Sequence, residues 1–425
     1  MCSGRWSCKL YPAAFVLLLL PGLVRCGGGS PDNTSLSATT YYVSPSGSDS
    51  NPGTQTLPFL TIGHSTGVVK PGDTVIVENG IYQECPYNGI SGTASAPITF
   101  EAQNQWGAVV APTSAQQSGC SGLMWQINAS YVTLEGFEVV GPTSGNTYNA
   151  GIKIQLENPL LAGDVVSHNE IHEVGAGQCN GGAGILSGGT NAIIDSNLIY
   201  DIGAGGGMDC NDWDGIYMDD GNGQTAINNI VFGFANDPGF TALTMNNDAA
   251  PGHPYAPNFP SNCSFINNTV INNSGTQDFG VYMSCAPSTA TCNNNLINNN
   301  ILDDVGKNGG NTIFQMMGRG TFGSSNQYLN NLIYNSGSPN INSGQNLVNT
   351  VTSNPDFVNY TGDQAGNYEL QSSSPAIGAG TSTGCPAHDF NNVQRTGTCT
   401  IGAYTYPSTG QGAPAVASGL MVTVQ

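Results

Sequence analysis

The sequence predicts an all-β chain wound as a right-handed parallel β-helix, a solenoid with an N-terminal cap and long loops. Three observations predict it. A segment of about thirty residues recurs through the middle of the chain. Each copy carries strands with period-two apolar patterning, and each places an asparagine at the same point.

The repeat is read most directly from the asparagine motif. It runs Asn169-Glu-Ile-His, Asn197-Leu-Ile-Tyr, Asn229-Ile-Val-Phe, Asn268-Thr-Val-Ile, Asn300-Ile-Leu-Asp and Asn331-Leu-Ile-Tyr, at intervals of 28, 32, 39, 32 and 31 residues. A fixed period of this size marks a solenoid or a propeller. Upstream of each motif lies a second strand, such as Gly151-Ile-Lys-Ile, Gly215-Ile-Tyr-Met or Gly280-Val-Tyr-Met, with apolar residues mostly alternating. Alternation means one face turned inward. Propeller blades close through tight antiparallel hairpins. Like segments about thirty residues apart instead suit one turn of a coil, with like strand stacked on like strand and right-handed crossing. Stacked asparagines then bond to one another along a corner and satisfy its buried amides.

Composition fits this reading. Only 8% of the residues are charged while 39% are hydrophobic, so the chain has a core to bury yet few ionic groups. A positive segment with Arg5 and Lys9, then the apolar run Ala13–Leu20, reads as an export signal over residues 1–25. The run is too short to span a bilayer as a mature helix. A Gly/Ser/Pro-rich linker covers residues 26–40. Leu23-Val-Arg-Cys26 resembles a lipoprotein box, with Arg25 where such a box has a small residue; a lipid anchor at Cys26 and simple secretion both stay open. Losing residues 1–25 removes three of eight bases and no acid, which moves the net charge from −20 to −23. Nucleic acid is thereby excluded as a partner, since phosphate binding needs many Lys and Arg. A polyanionic glycan is repelled unless cations bridge it. The chain is expected to be an extracellular monomer.

Nine cysteines follow Cys26, and in an exported chain they favour disulfides. Cys179 and Cys210, and likewise Cys85 and Cys120, are about one coil apart and would meet on stacked coils. Cys385 and Cys399 close a C-terminal loop, and one of Cys263, Cys285 and Cys292 is left unpaired. The ends of a solenoid expose apolar edges and need caps. Residues 41–84, with a short helix around Leu60–Val69, form the first, and residues 375–406 the last; residues 407–425 are a loose tail.

Two segments resemble a known superfamily. Tyr41-Tyr-Val-Ser-Pro-Ser-Gly, Pro58-Phe-Leu-Thr-Ile62 and Lys70-Pro-Gly-Asp-Thr-Val75 are similar to the opening of exported right-handed β-helix proteins. Ser374-Pro-Ala-Ile-Gly-Ala-Gly380 with Ile401-Gly-Ala-Tyr404 is similar to their close. The resemblance implies a β-helix domain over residues 41–406. It implies no single reaction, because the superfamily holds polysaccharide lyases, glycoside hydrolases, uronan epimerases and non-enzymatic adhesins.

Chemistry is expected on the outward residues of the upstream strands. Alternation turns Lys153, Tyr217, Tyr282 and Phe314 outward, with Asp219 and Asn246 one step further along. Aromatic rings stack on sugars and polar groups orient hydroxyls. The plainer alternative is that long loops bury this face. The densest feature is Asp209-Cys-Asn-Asp212-Trp-Asp214, followed by Asp219-Asp220. Asp212 and Asp214 are candidates to hold Ca2+, which takes oxygen ligands. Asp219, Asp220 and Asp248 are candidate catalytic acids, since a glycosidase needs two carboxyls roughly 5–10 Å apart. Asp214 and Asp219, five apart, fall on opposite faces by strict alternation. Simple turn capping explains such acids equally well. Lys153, two coils or ~10 Å from Asp219, is the candidate base for an elimination. Tyr217, Asn246, Tyr282, Phe314, Arg319 and Glu157 are candidate substrate contacts. His168 and His172, on another strand, read as structural.

These features point to an enzyme that degrades an extracellular polysaccharide. Hydrolysis by paired acids stands ahead of Ca2+-assisted elimination, because so acidic a chain suits a neutral glycan. The alternative is a non-catalytic glycan-binding or surface-structural β-helix.

Overall fold

In the computed structural model, residues 38–406 are described except for 144, 156–160, 176–180, 204–212, 220, 234–239, 247–258, 273–278, 307–311, 319 and 342–344. The export segment, Cys26 and the tail from 407 lie outside the described residues, as do Cys179 and Cys210.

The chain forms a right-handed parallel β-helix. Three sheets of nine strands each run along the described solenoid, and between the end coils each takes one strand per coil. The first holds Thr40–Val43 through Leu296–Asn298, the second Tyr87–Asn88 through Ser338–Ile341, the third Gly80–Tyr82 through Leu332–Tyr334. All strand pairs within these sheets are parallel; among the described residues the one antiparallel pair of strands joins Phe357–Asn359 to Asn367–Leu370. The inward positions expected from alternation are inward. Ile152, Ile154, Ile216, Met218, Leu243 and Met245 are fully buried and belong to one continuous core.

The asparagine corner is a ladder. The backbone N–H of Asn169 donates to Oδ1 of Asn197, Asn197 to Asn229, Asn229 to Asn268, Asn268 to Asn300 and Asn300 to Asn331, at 2.9–3.0 Å. Each Nδ2 but that of Asn331 donates both to the next Oδ1 and to a carbonyl one strand back, as Asn268 does to Asn300 and Ala226. All six side chains are fully buried. The residue before each one turns the corner in the left-handed region, from His168 (φ 55°) to Asn330 (φ 54°). Four of these six are asparagines, which tolerate that region better than most residues.

A second, broken ladder follows the next corner. Cys263 N–H donates to Asn295 and Asn295 N–H to Asn326, both at 3.0 Å. Near its start Val132 N–H donates to Oδ1 of Asp164 at 2.9 Å. Asp164 is completely buried and its Oδ2 has no partner. Burial therefore pushes its pKa up to about 7, against the pull of the Val132 bond.

The N-terminal cap matches the expectation. A short helix, Ile62–Thr66, buries Ile62 against the first coil, and Thr61 caps it by accepting from His64 N–H. Glu84 accepts from the N–H groups of Ile62 and Gly63 at 2.8 Å. Disulfides join Cys85–Cys120, Cys285–Cys292 and Cys385–Cys399, while Cys263 is a buried free thiol.

The C-terminal segment differs from the expected end cap. Residues 374–404 run back along the flank of the solenoid as a strap. Arg395 donates to Asn228 and to the carbonyls of Thr400, Gly402 and Ala403. Asn267 reaches Thr400, and Asn330 reaches Ala379. The turn asparagines beside the ladder offer unpaired amides along several coils, and the strap satisfies them there.

Two outcomes test these corners. Replacing Asn268 with Ala leaves Asn229 N–H buried without an acceptor, at about 1–3 kcal/mol; denaturant unfolding should show at least that loss, and a loss under ~0.5 kcal/mol would sink the ladder argument. For Asp164 the folded-state pKa lies above the usual 3.8, so the folded chain holds the extra proton. Its contribution is present at low pH and is lost as pH rises from about 4 to 7 and beyond. Asp164→Asn should therefore raise the melting temperature at pH 8 and change it little at pH 4.

Candidate functional site

The candidate site lies on the outer face of the second sheet. Register there is set strand by strand: Lys153 pairs with Leu186, Leu186 with Tyr217, Tyr217 with Thr244, Thr244 with Tyr282 and Tyr282 with Gln315. One column further, Asp219 pairs with Asn246. Lys153, Tyr217, Asp219, Asn246 and Tyr282 are all half-buried, between the open groove and the packed face that the sequence left as alternatives.

Two expectations need correction. Phe314 is not in the outward column: it pairs with Val281, is fully buried and belongs to the core. In its strand, Thr312–Gly318, Ile313 occupies the place that glycine holds in most other coils, so Gln315 is the outward residue. The second correction concerns Asp214. The glycine position is itself inward. A Cβ on Gly215 would come within 2.5 Å of Val231, and one on Gly151 within 2.4 Å of Ile171. Gly215 and Ile216 are thus consecutive inward residues, which breaks strict alternation and returns Asp214 to the outer face. There it accepts a hydrogen bond from the Thr244 hydroxyl, a member of the outward column.

Asp214, Tyr217 and Asp219 therefore share one face. Tyr217 Oη accepts from Asn246 Nδ2 at 2.7 Å, tying adjacent coils together. Lys153 sits two strands away. Its pKa is lowered, chiefly because burial disfavours the ammonium; the charge of Asp219 opposes this.

The other expected site residues, Asp212, Asp220, Asp248, Glu157 and Arg319, lie outside the described residues. Among the described residues no three His, Cys, Asp or Glu side chains come together as a metal site. Asp214 and Asp219 alone do not compose a Ca2+ site, and Asp214 is engaged by Thr244.

The outward column runs further than the sequence pattern indicates. Gln126 pairs with Lys153 and Tyr87 with Gln126, so the column extends two coils toward the N-terminus. Tyr87 is 47% exposed, and its hydroxyl accepts from Asn128 Nδ2 at 2.7 Å. These coils lack the asparagine motif, and 39 residues separate Tyr87 from Gln126, so the repeat gives no signal there. His172 lies on the third sheet, stacked on Tyr200 and 3.2 Å from Glu138.

No family model matches the chain. A 68-residue stretch, 16% of the chain, is 43% identical to the uncharacterized protein YwoF of Bacillus subtilis (strain 168), and spans 14% of that relative. Similar solved structures include pectate lyase Pel9A, at 15% identity and TM-score 0.44, covering 88% of this chain and 98% of that one. A rhamnogalacturonan lyase gives 18% identity and TM-score 0.39 over 70% and 68%. An alginate lyase from Paenibacillus sp. str. FPU-7 gives 15% and 0.38 over 74% and 99%. At these values the likeness carries no argument about what this chain acts on.

The lowered pKa of Lys153 has a stability consequence. The folded chain binds this proton less tightly than the unfolded chain, so the charged lysine costs stability at neutral pH. The cost fades as pH rises through the folded pKa toward the usual 10.5. Calorimetry should find Lys153→Met melting higher than the wild type at pH 7, with the gap closing near pH 10. A lower melting temperature at pH 7 would contradict the assignment.

Proposed function

We propose that the protein is an exported polysaccharide lyase that acts on a uronate-bearing glycan laid along the second sheet. The observation that carries this reading is Lys153: a half-buried lysine in the outward column two strands from Tyr217, its ammonium disfavoured by burial against the opposing charge of Asp219. A lysine tuned down in this way holds a neutral amine more readily at working pH, which is what a general base requires.

In the proposed reaction the Lys153 amine takes the proton from the ring carbon next to the uronate carboxylate. The electron pair forms a double bond to the neighbouring carbon, and the glycosidic C–O bond there breaks. The departing oxygen gains a proton from water, and Lys153 returns its proton to solvent. Tyr217, Tyr282 and Tyr87 supply ring faces for sugar stacking along the column. Asn246 holds the Tyr217 hydroxyl in place. The acidic chain repels a uronan in bulk, so cations in the medium are expected to aid binding. The elimination reading is supported by the place of Lys153 in the outward column, in register with Leu186 and, beyond it, Tyr217.

Incubation with a panel of uronic-acid polysaccharides, polygalacturonate and alginate among them, should release unsaturated, ultraviolet-absorbing oligomers. Lys153→Arg should lower kcat by about 10²–10⁴-fold with little change in KM, the usual worth of a general base. Activity should rise with pH along a limb lying below the ordinary lysine range. Reducing ends released without new absorbance would overturn the proposal in favour of hydrolysis; binding without turnover would favour a glycan-binding role.

A further inference from the structure

A cavity of about 760 Å³ lies on a flank to which the second sheet contributes no residue. Its size is within the roughly 300–1,000 Å³ typical of ligand pockets. One wall is the corner between the first and third sheets, the other is made by residues 364–369 together with the C-terminal strap, and Leu198, Ile230 and Phe232 form the floor.

The charges in this cavity are one-sided. Glu101 and Glu135 are paired in register on neighbouring strands, a placement that sets like charges side by side. Glu369 lines the cavity from the strand Asn367–Leu370. No lysine or arginine lines it among the described residues, and His168, also in the lining, has its Nδ1 3.8 Å from Glu135. The wall also offers a fixed aromatic surface. Trp106 is half-exposed, its Nε1 donates to the His168 carbonyl at 2.8 Å, and its N–H donates to the Gly136 carbonyl at 2.6 Å. Its ring is therefore held before any ligand arrives, which lowers the ordering cost of binding. Carboxylates beside a rigid indole are the two elements that recognise an ammonium carried on a ring.

We infer that this cavity binds an amine-bearing sugar unit, with Glu101, Glu135 and Glu369 taking its ammonium and hydroxyls and Trp106 its ring face. The site is separate from the Lys153 groove and does not rest on the lyase reading. An anionic sugar would be repelled here.

The test is a tryptophan-fluorescence titration of the full chain with a fully de-N-acetylated glucosamine oligomer, at a pH where its amines are charged. Of the tryptophans described, Trp125 and Trp213 are buried, so Trp106 is positioned to report. A saturable change is expected, lost in Trp106→Phe. Glu101→Gln and Glu135→Gln should each weaken binding by about tenfold, the scale of one charge-assisted hydrogen bond. Those two variants preserve shape, so they test the site even where the Trp106 variant folds poorly. Glu78→Gln, outside the cavity, should leave affinity unchanged. Turnover of any uronan by the Lys153 groove should be unaltered in Glu135→Gln. The inference is overturned by no saturable change, by equal affinity for the N-acetylated oligomer, or by an equal loss in Glu78→Gln, which would mean general attraction of a polycation to an acidic chain.

Discussion

Register is the constraint on which the rest depends. In a parallel stack each coil finds its place only relative to its neighbour, and a slip by one residue would turn every inward side chain outward. The asparagine ladder opposes such a slip. Each side chain satisfies a backbone N–H in the coil before it and a carbonyl across the corner, so all its bonds hold only in one alignment. Because these groups are fully buried, a shifted coil would leave several polar atoms unpaired at once. Insertions between ladder points, such as the one in the 39-residue interval, leave the alignment intact because both ends remain pinned.

Fixed register converts a linear sequence into columns, and columns make the candidate site. Lys153 and Tyr217 are 64 positions apart yet stand two strands from one another. The double inward step at the glycine position adds to this. A strand with strict alternation would have put Asp214 into the core, where an isolated carboxylate is costly. Two consecutive inward residues, the first of them side-chain-free, keep the core packed and move the acid to the outer face beside Thr244. The glycine is needed for space: a Cβ there would meet the third-sheet strand opposite.

The parts of the fold that repeat were legible from sequence, and the parts that do not repeat were not. Winding, core residues, the asparagine corner, the first cap and two described disulfides follow from period and spacing. Asp214 escaped because period two carries no mark of a double inward step except the glycine, which has many other uses. Phe314 escaped because Thr312-Ile-Phe matches Gly-Ile-Tyr when only apolar character is compared; register, not hydropathy, separates Ile313 from its counterparts. The strap escaped because its partners are single turn asparagines 49 to 167 positions away. Tyr87 and Gln126 join the outward column through coils with no motif to align them.

Charge economy gives the site its sharpest outline. The chain beyond residue 25 has five basic side chains, Lys70, Lys153, Lys307, Arg319 and Arg395. Lys70 is exposed on the cap. Arg395 is committed to the strap through four acceptors, and burial lowers its pKa to about 10. Lys153 is the described cation that is held half-buried on a face lined by tyrosines. Packing alone would favour an apolar residue there, since its column neighbour Leu186 fills the equivalent place without a desolvation cost. On the proposed reading, that desolvation is what makes the lysine usable as a base.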